Sequence, residues 1–138
     1  MKKVATVCII DDDVFFQYLA KKSLESSEKV INILQFHDGE EAIDYFLKHK
    51  DDEIKIPDLV FLDLNMPFMD GWQFLDEFTA NQFKKELITI YICTSSNSKF
   101  DQQKFVSYPK LEGYLIKPIP RKEFMDTLEK MLQDEVFC

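Results

Sequence analysis

Acidic side chains follow two of the apolar runs in this 138-residue chain. The run from Val4 to Ile10 ends in three consecutive aspartates, and the run from Leu59 to Leu62 ends in Asp63. Three carboxylates drawn together repel one another, which favours a bound cation. Oxygen ligands without a neighbouring histidine are typical of Mg²⁺, which takes one or two carboxylates together with phosphate oxygens. The three consecutive aspartates are Asp11, Asp12 and Asp13.

Two further apolar runs end in groups that suit a phosphoryl oxygen. The run 87–93 is followed by Thr94, and the run 113–116 is followed by Lys117. A hydroxyl and an ammonium group supply the hydrogen bonds and the positive charge that a phosphoryl group needs. With Asp63 as the nucleophile, these groups predict phosphoryl transfer to a carboxylate.

Each group also has an ordinary structural explanation. Taken alone, Asp63 is a turn or capping carboxylate, Thr94 is a loop hydroxyl and Lys117 is a solvated lysine. An isolated Tyr114 is an aromatic of the core or its rim. Their joint occurrence at the ends of four predicted strands favours a common site.

The elements that must position these groups alternate between strand and helix. Strands are predicted at 4–10, 30–36, 59–62, 87–93 and 113–116, and helices at 14–26, from 38, at 71–79, at 98–107 and from 120. This alternation predicts a doubly wound, five-stranded parallel α/β sheet with helices on both faces. Because parallel strands direct their carboxyl ends to one edge, the reactive groups are expected to meet there.

The second and third predicted helices begin with capping signals, and the fourth has a weak apolar face. Asp38 is the expected cap of the second helix, and Asp70 with Gln73 the cap of the third. The helix at 98–107 has few apolar residues, which suggests low local stability.

Composition limits the functional classes. The net charge is −8 and Arg121 is the only arginine, so nucleic-acid binding is not expected. Cys8 and Cys93 lie in apolar runs and Cys138 is expected to be a free thiol, which suits a reducing cytosol. No run is long enough to span a membrane. The sequence predicts one cytoplasmic domain over residues 1–138, with a core from about 4 to 132 and no output domain.

Four motifs in this order resemble the receiver domain of two-component response regulators, a CheY-like family. The resemblance covers nearly the whole chain. The motifs are Ile9-Ile10-Asp11-Asp12, Leu62-Asp63-Leu64-Asn65-Met66-Pro67 with Met69-Asp70-Gly71, Cys93-Thr94-Ser95, and Gly113-Tyr114-Leu115-Ile116-Lys117-Pro118. The resemblance implies the strand order 2-1-3-4-5.

The resemblance also implies a role for each matching residue. Asp63 would accept a phosphoryl group from a histidine kinase or a phosphotransfer protein. Thr94 and Lys117 would bind phosphoryl oxygens, and Tyr114 would change rotamer as Thr94 moves. The Lys117–Pro118 bond would be cis. The implied Mg²⁺ ligands are Asp12, Asp11, Asp63 and the backbone carbonyl of Asn65.

Some features of the chain qualify the match. Asp11 and Asp12 fit the acidic pair of the family, which leaves Asp13 as the cap of the first helix. Phe68 stands where the family often has glycine, which would affect the loop after Asp63.

The expected output is a change in binding to a downstream protein through segment 98–107, Tyr114 and the last helix. The receiver is expected to be a monomer or a phosphorylation-dependent dimer, and a signalling module rather than an enzyme. Two alternatives remain open. One is a haloacid-dehalogenase-like phosphotransferase, although Asn65 stands where that class has a second carboxylate. The other is a receiver-like interaction module that is never phosphorylated.

Overall fold

The computed structural model describes the backbone of residues 4–137, so Cys138 lies outside the described residues. Within the described residues, five strands alternate with five helices. The strands are β1 (Ala5–Ile10), β2 (Val30–Phe36), β3 (Leu59–Leu62), β4 (Thr89–Thr94) and β5 (Leu111–Ile116). The helices are α1 (Val14–Glu25), α2 (Gly39–Lys48), α3 (Gly71–Thr79), α4 (Lys99–Val106) and α5 (Arg121–Phe137).

All strands are parallel, and their order across the sheet is β2-β1-β3-β4-β5. This confirms the predicted doubly wound α/β fold and its strand order. None of the helices in the described part of the chain is long and apolar enough to cross a membrane.

The central strands contribute side chains to two hydrophobic cores, one on each face of the sheet. Alternate residues of a strand point to opposite faces, so Cys8 and Ile10 of β1 enter one core while Val7 and Ile9 enter the other. The first core is closed by α2 and α3, and the second by α1 and α5. Burial of each large apolar side chain stabilises the fold by about 1.5–3 kcal/mol, and this burial on both faces explains the near-continuous apolar runs of β1, β3 and β4.

Aspartates cap the first three helices, as the sequence predicts. The side chain of Asp13 accepts hydrogen bonds from the first turn of α1, and Asp38 does the same for α2. Asp70 and Gln73 form a reciprocal capping box at the start of α3. These caps satisfy amide groups that have no partner inside the helix, and each contributes about 1 kcal/mol.

Three strands differ slightly from their predicted limits, and β1 begins at Ala5 rather than at Val4. The structure begins β4 at Thr89 rather than at Leu87, whose side chain is half-exposed and precedes the first pairing with β3. It begins β5 at Leu111 rather than at Gly113, because the buried Leu111 pairs with Ile90.

Candidate functional site

The register of the sheet brings the predicted reactive residues to one edge. Ile10 pairs with Leu62, so the residues that follow them, Asp11 and Asp63, leave neighbouring strands side by side. The Asp63 amide still donates to the Ile10 carbonyl at 2.9 Å. Lys117 follows β5 at the same edge, and its amide donates to the Thr94 carbonyl at 2.9 Å.

Three carboxylates converge at this edge. The side chains of Asp11, Asp12 and Asp63 each place an oxygen so that all three oxygens lie within 4.8 Å of one another. Asp11 and Asp63 are buried, and Asp63 is only 5% exposed, whereas Asp12 faces solvent. The cluster is therefore anchored in the protein but can be reached from outside.

Lys117 partly neutralises the buried carboxylates. Its Nζ lies 2.6 Å from Oδ2 of Asp11 and 3.8 Å from Oδ2 of Asp63. The ammonium group also lies 4.3 Å from the ring centroid of Phe16 on α1, within cation–π range. The predicted cis peptide bond between Lys117 and Pro118 is present.

The electrostatics of Asp63 reflect its crowded position. Burial, followed by the negative charge of Asp11, raises the pKa of Asp63 to about 6. Lys117, the Asn65 amide and the Thr94 hydroxyl act in the opposite direction and lower this pKa. Burial also raises the pKa of Asp11, against the opposing hydrogen bond and charge of Lys117. The site thus holds more negative charge than its lysine offsets.

This arrangement fits a hard divalent cation. The donors are carboxylate oxygens, they are close enough to share one ion, and the exposed Asp12 leaves a path for it. Such an all-oxygen set suits Mg²⁺ better than a transition metal that prefers nitrogen or sulfur. The expected contribution of the Asn65 carbonyl stays a prediction.

Thr94 and Tyr114 are linked through the loop after β4. Thr94 is fully buried, and its Oγ1 accepts a hydrogen bond from the Ser96 amide at 3.2 Å. The hydroxyl of Tyr114 donates to the Ser96 carbonyl at 2.9 Å. The Tyr114 ring meets Phe105 of α4 edge-on at 5.8 Å. Ser96 therefore connects the site to both β5 and α4.

Ser96 also holds α4 through a polar cluster that the sequence did not predict. The Ser96 hydroxyl donates to Oδ2 of Asp101, and Nε1 of Trp72 on α3 donates to Oδ1 of Asp101 at 3.1 Å. The rings of Trp72 and Tyr108 stack with their centroids 5.2 Å apart, and Nζ of Lys104 lies 5.4 Å from the ring centroid of Trp72. No side chain of α4 is buried, so these contacts attach the helix to α3 and to the loop after β4.

Gln17 on α1 is a second residue absent from the predicted site. Its side chain is only 3% exposed, and its Nε2 donates to the carbonyls of Ile9, Asp11 and Phe36. One sequence pattern does point to its burial, because Gln17 is three residues before the buried Ala20, on the apolar side of the helix.

The loop after Asp63 is shaped by Gly71 and Phe68. A Cβ on Gly71 would lie 2.5 Å from the Asp63 carbonyl oxygen, so glycine lets the start of α3 pack directly against the site. Phe68 has a φ of 67°, a left-handed conformation that glycine adopts readily and a bulky residue does not. The loop thus keeps a glycine-like turn despite its phenylalanine.

Comparison with known proteins agrees with this geometry. Residues 7–129 match the family described as the response regulator receiver domain. A solved two-component response regulator from Cytophaga hutchinsonii superposes with a TM-score of 0.81 at 25% identity, covering 95% of this chain and 98% of the other.

Two curated relatives show how the match extends along the proteins. The probable C4-dicarboxylate response regulator DctR of Priestia megaterium is 27% identical over 94% of this chain and 52% of its own length. The chemotaxis protein CheY of Halobacterium salinarum is 26% identical over 91% of this chain and 95% of its own. The chain therefore spans about half of the first relative and nearly all of the second.

Receiver domains are the signalling modules of two-component systems, with phosphorylation on an aspartate as their characteristic modification. The fold, the order of the motifs and the extent of the match lead to one conclusion: the chain belongs to the response regulator receiver domain family.

Proposed function

We propose that Asp63 accepts a phosphoryl group from a histidine kinase or a histidine phosphotransfer protein in a reaction that depends on Mg²⁺. The observation that carries this proposal is the position of Asp63, a buried carboxylate among two further carboxylates and a lysine at the carboxyl edge of the sheet. The residues that would hold the ion are Asp11, Asp12, Asp63 and, through its carbonyl, Asn65.

The transfer replaces one bond to phosphorus by another. An oxygen of Asp63 forms the new bond as the phosphorus–nitrogen bond of the donor histidine breaks, and the imidazole nitrogen keeps the electron pair. Bound Mg²⁺ would supply positive charge against the carboxylates and the phosphoryl oxygens. Lys117, already 3.8 Å from Asp63, is placed to bind a phosphoryl oxygen.

The conformational effect of phosphorylation would be transmitted through Ser96. When the Thr94 hydroxyl turns to a phosphoryl oxygen, the Ser96 amide loses its present acceptor. Bonds from Tyr114 and to Asp101 also end on Ser96, so a shift of this residue disturbs β5 and α4 together. The added charge of about −2 at Asp63 biases this local rearrangement.

The output surface would consist of α4, Tyr114 and α5. Three apolar side chains on α4 and β5 are exposed, namely Phe100, Val106 and Ile116. Exposed apolar groups beside a movable helix suit a protein partner that distinguishes the two states. A downstream protein is therefore the proposed target.

Intact-protein mass spectrometry tests the chemistry. The protein is incubated with Mg²⁺ and either acetyl phosphate or phosphoramidate, whose phosphorus–nitrogen bond mimics phosphohistidine. We expect one added phosphoryl group, which does not form when EDTA is present during the incubation. Asp63→Asn should abolish it, whereas Asp126→Asn, a change on the exposed face of α5, should retain it.

The absence of an adduct from both donors, with Mg²⁺ present and the protein folded, would contradict the proposal. The remaining function would then be that of a binding module that uses the same fold without phosphorylation. An adduct that persists in Asp63→Asn would place the modification on another residue.

A further inference from the structure

We infer that Gln17 is a positioning residue for the cation site, and that it sets the affinity for Mg²⁺ by fixing the backbone between Asp11 and Asp12. The inference rests on the proposed Mg²⁺-dependent function. It concerns a side chain that lies outside the acidic cluster and contributes no ligand.

The contacts of the Gln17 amide have only one chemical assignment. Nε2 lies 3.0 Å from the Ile9 carbonyl, 3.1 Å from the Asp11 carbonyl and 2.9 Å from the Phe36 carbonyl. All three partners are acceptors, so the atom that faces them must be the NH₂ group. Oε1 in turn accepts from Nε2 of Gln35 at 2.8 Å, which fixes the orientation of the amide.

These bonds tie together the ends of β1 and β2. The Phe36 carbonyl also accepts from the Asp11 amide at 3.0 Å, so Gln17 joins an existing bond between the two strands. Gln35 donates to the Gln17 carbonyl as well, at 3.0 Å. Because its side chain is almost fully buried, Gln17 can give up these bonds only by leaving its own amide group without partners.

The bond to Asp11 is the one that reaches the site. The Asp11 carbonyl belongs to the peptide group that joins Asp11 to Asp12, so holding it sets the orientation of the backbone that carries both carboxylates. The Asp11 carboxylate is also fixed by the Asp13 amide at 2.9 Å and by Lys117. Asp12 is exposed, and its direction depends more on the backbone that Gln17 holds.

Groups that orient metal ligands without touching the metal commonly change affinity by 10- to 100-fold. We therefore expect Gln17→Met, which keeps the length of the side chain and removes its hydrogen bonds, to weaken Mg²⁺ binding by about tenfold or more. Asp63 and Lys117 are unchanged, so the maximal rate of phosphorylation at saturating Mg²⁺ should stay within about twofold of wild type.

Magnesium titrations followed by amide NMR spectra measure the affinity directly, since the same spectra show whether each variant is folded. Phosphorylation by acetyl phosphate over a range of Mg²⁺ concentrations gives the half-saturating concentration and the maximal rate. Thr127→Val is the matched control, because it removes a buried hydroxyl that bonds a carbonyl of its own helix at 2.8 Å.

A weaker Mg²⁺ affinity in Gln17→Met, with wild-type affinity in Thr127→Val, supports the inference. Equal affinities in all three proteins would overturn it, even if Gln17→Met is less stable, because a purely structural role lowers stability without moving the Mg²⁺ midpoint. If Gln17→Met fails to fold, Gln17→Asn, whose amide is one methylene short, decides by the same criterion.

The wild-type titration separates this inference from the proposed function. A wild-type protein that binds no Mg²⁺ would overturn both. Binding in wild type that is unchanged in the variants would overturn the role of Gln17 alone.

Discussion

The carboxyl group of Asp63 opposes folding at neutral pH. Burial and the charge of Asp11 raise its pKa in the folded protein to about 6, whereas an aspartate of the unfolded chain titrates at about 3.9. As the pH rises, the unfolded chain releases this proton first. The free energy of unfolding therefore falls between about pH 4 and pH 6, and the ionised carboxylate destabilises the metal-free protein above that range.

Replacing Asp63 by asparagine should stabilise the metal-free protein. A pKa raised by this amount corresponds to at most about 3 kcal/mol. This net shift already includes the attraction of Lys117, and we expect a gain of about 2 kcal/mol near neutral pH. The gain should vanish at about pH 4, where the wild-type carboxyl group is protonated in the fold.

Urea unfolding in EDTA at both pH values measures this difference, with Asp126→Asn as the control for an exposed carboxylate. A gain of the same size at both pH values would show that the charge of Asp63 is not its cause.

The left-handed backbone conformation of Phe68 leads to a second prediction about stability. Its side chain is 84% exposed, so removing the ring sacrifices little packing. Phe68→Gly should stabilise the protein by up to about 1 kcal/mol, because glycine adopts this conformation without a steric cost. Phe68→Ala keeps the Cβ and should give no such gain. Thermal unfolding of the two variants compares them, and equal stability would contradict strain at this residue.

At the residue scale, the sequence predicts groups that act where a strand ends and not those that act through the backbone. Asp63 and Lys117 can be recognised because each directly follows an apolar run. The roles of Gln17 and Ser96 cannot be recognised in this way, because both depend on hydrogen bonds to other elements. Gln17 donates to main-chain carbonyls of β1 and β2, and Ser96 bonds to the side chains of Asp101 and Tyr114. These partners are adjacent only after the sheet has formed.

Among the elements, α4 is the least firmly packed. None of its side chains is buried, and Asp101 joins it to Trp72 of α3 and to Ser96. We expect its amides to exchange with solvent faster than those of β4, since local opening exposes little apolar surface. Hydrogen-exchange mass spectrometry measures this, and equal protection of the two elements would contradict it.

Breaking the contacts of Asp101 should loosen α4 further. Asp101→Ala removes the acceptors for Trp72 and Ser96, and a loss of about 1–2 kcal/mol would make exchange in α4 roughly 5- to 30-fold faster. Gln102→Ala is the control, because it removes a bond from the same helix to Asn97 without touching Trp72. Equal exchange in the two variants would show that Asp101 does not hold the helix.

The limits of the elements follow from the sequence where capping defines them. The start of α3 is predicted correctly because Asp70 and Gln73 form a local capping box. The start of β4 is not, because Leu87 is apolar yet half-exposed, and only the register with β3 determines where pairing begins. Sheet limits therefore depend on neighbouring strands that a linear pattern does not contain.

Across the whole molecule, the two edges of the sheet differ in what their buried charges do. At the carboxyl edge, Asp11 and Asp63 lie close together, which costs stability, and with Asp12 they place three carboxylate oxygens within 4.8 Å of one another. At the amino edge, Oδ1 of Asp58 lies 2.5 Å from Nζ of Lys85, and Oδ2 accepts from the Thr6 amide at 2.8 Å.

The two edges should respond differently to mutation. Lys85→Met removes the cation from a largely buried pair, and we expect a loss of about 3 kcal/mol in the free energy of unfolding. The rate of phosphorylation of the folded protein should not change, because Asp63 and Lys117 lie at the opposite edge. Lys21→Met is the matched control. It removes an exposed lysine 3.7 Å from Glu25, and such pairs contribute at most about 1 kcal/mol.

Urea unfolding and acetyl-phosphate kinetics on the same samples test both parts of this prediction. A stable Lys85→Met variant would show that the ion pair is dispensable. A variant that folds but phosphorylates slowly would show instead that strain at the amino edge reaches Asp63. Since β1 and β3 carry Thr6 and Asp58 near one end and Asp11 and Asp63 at the other, a normal rate would mean that the change at the amino edge is not transmitted along these strands.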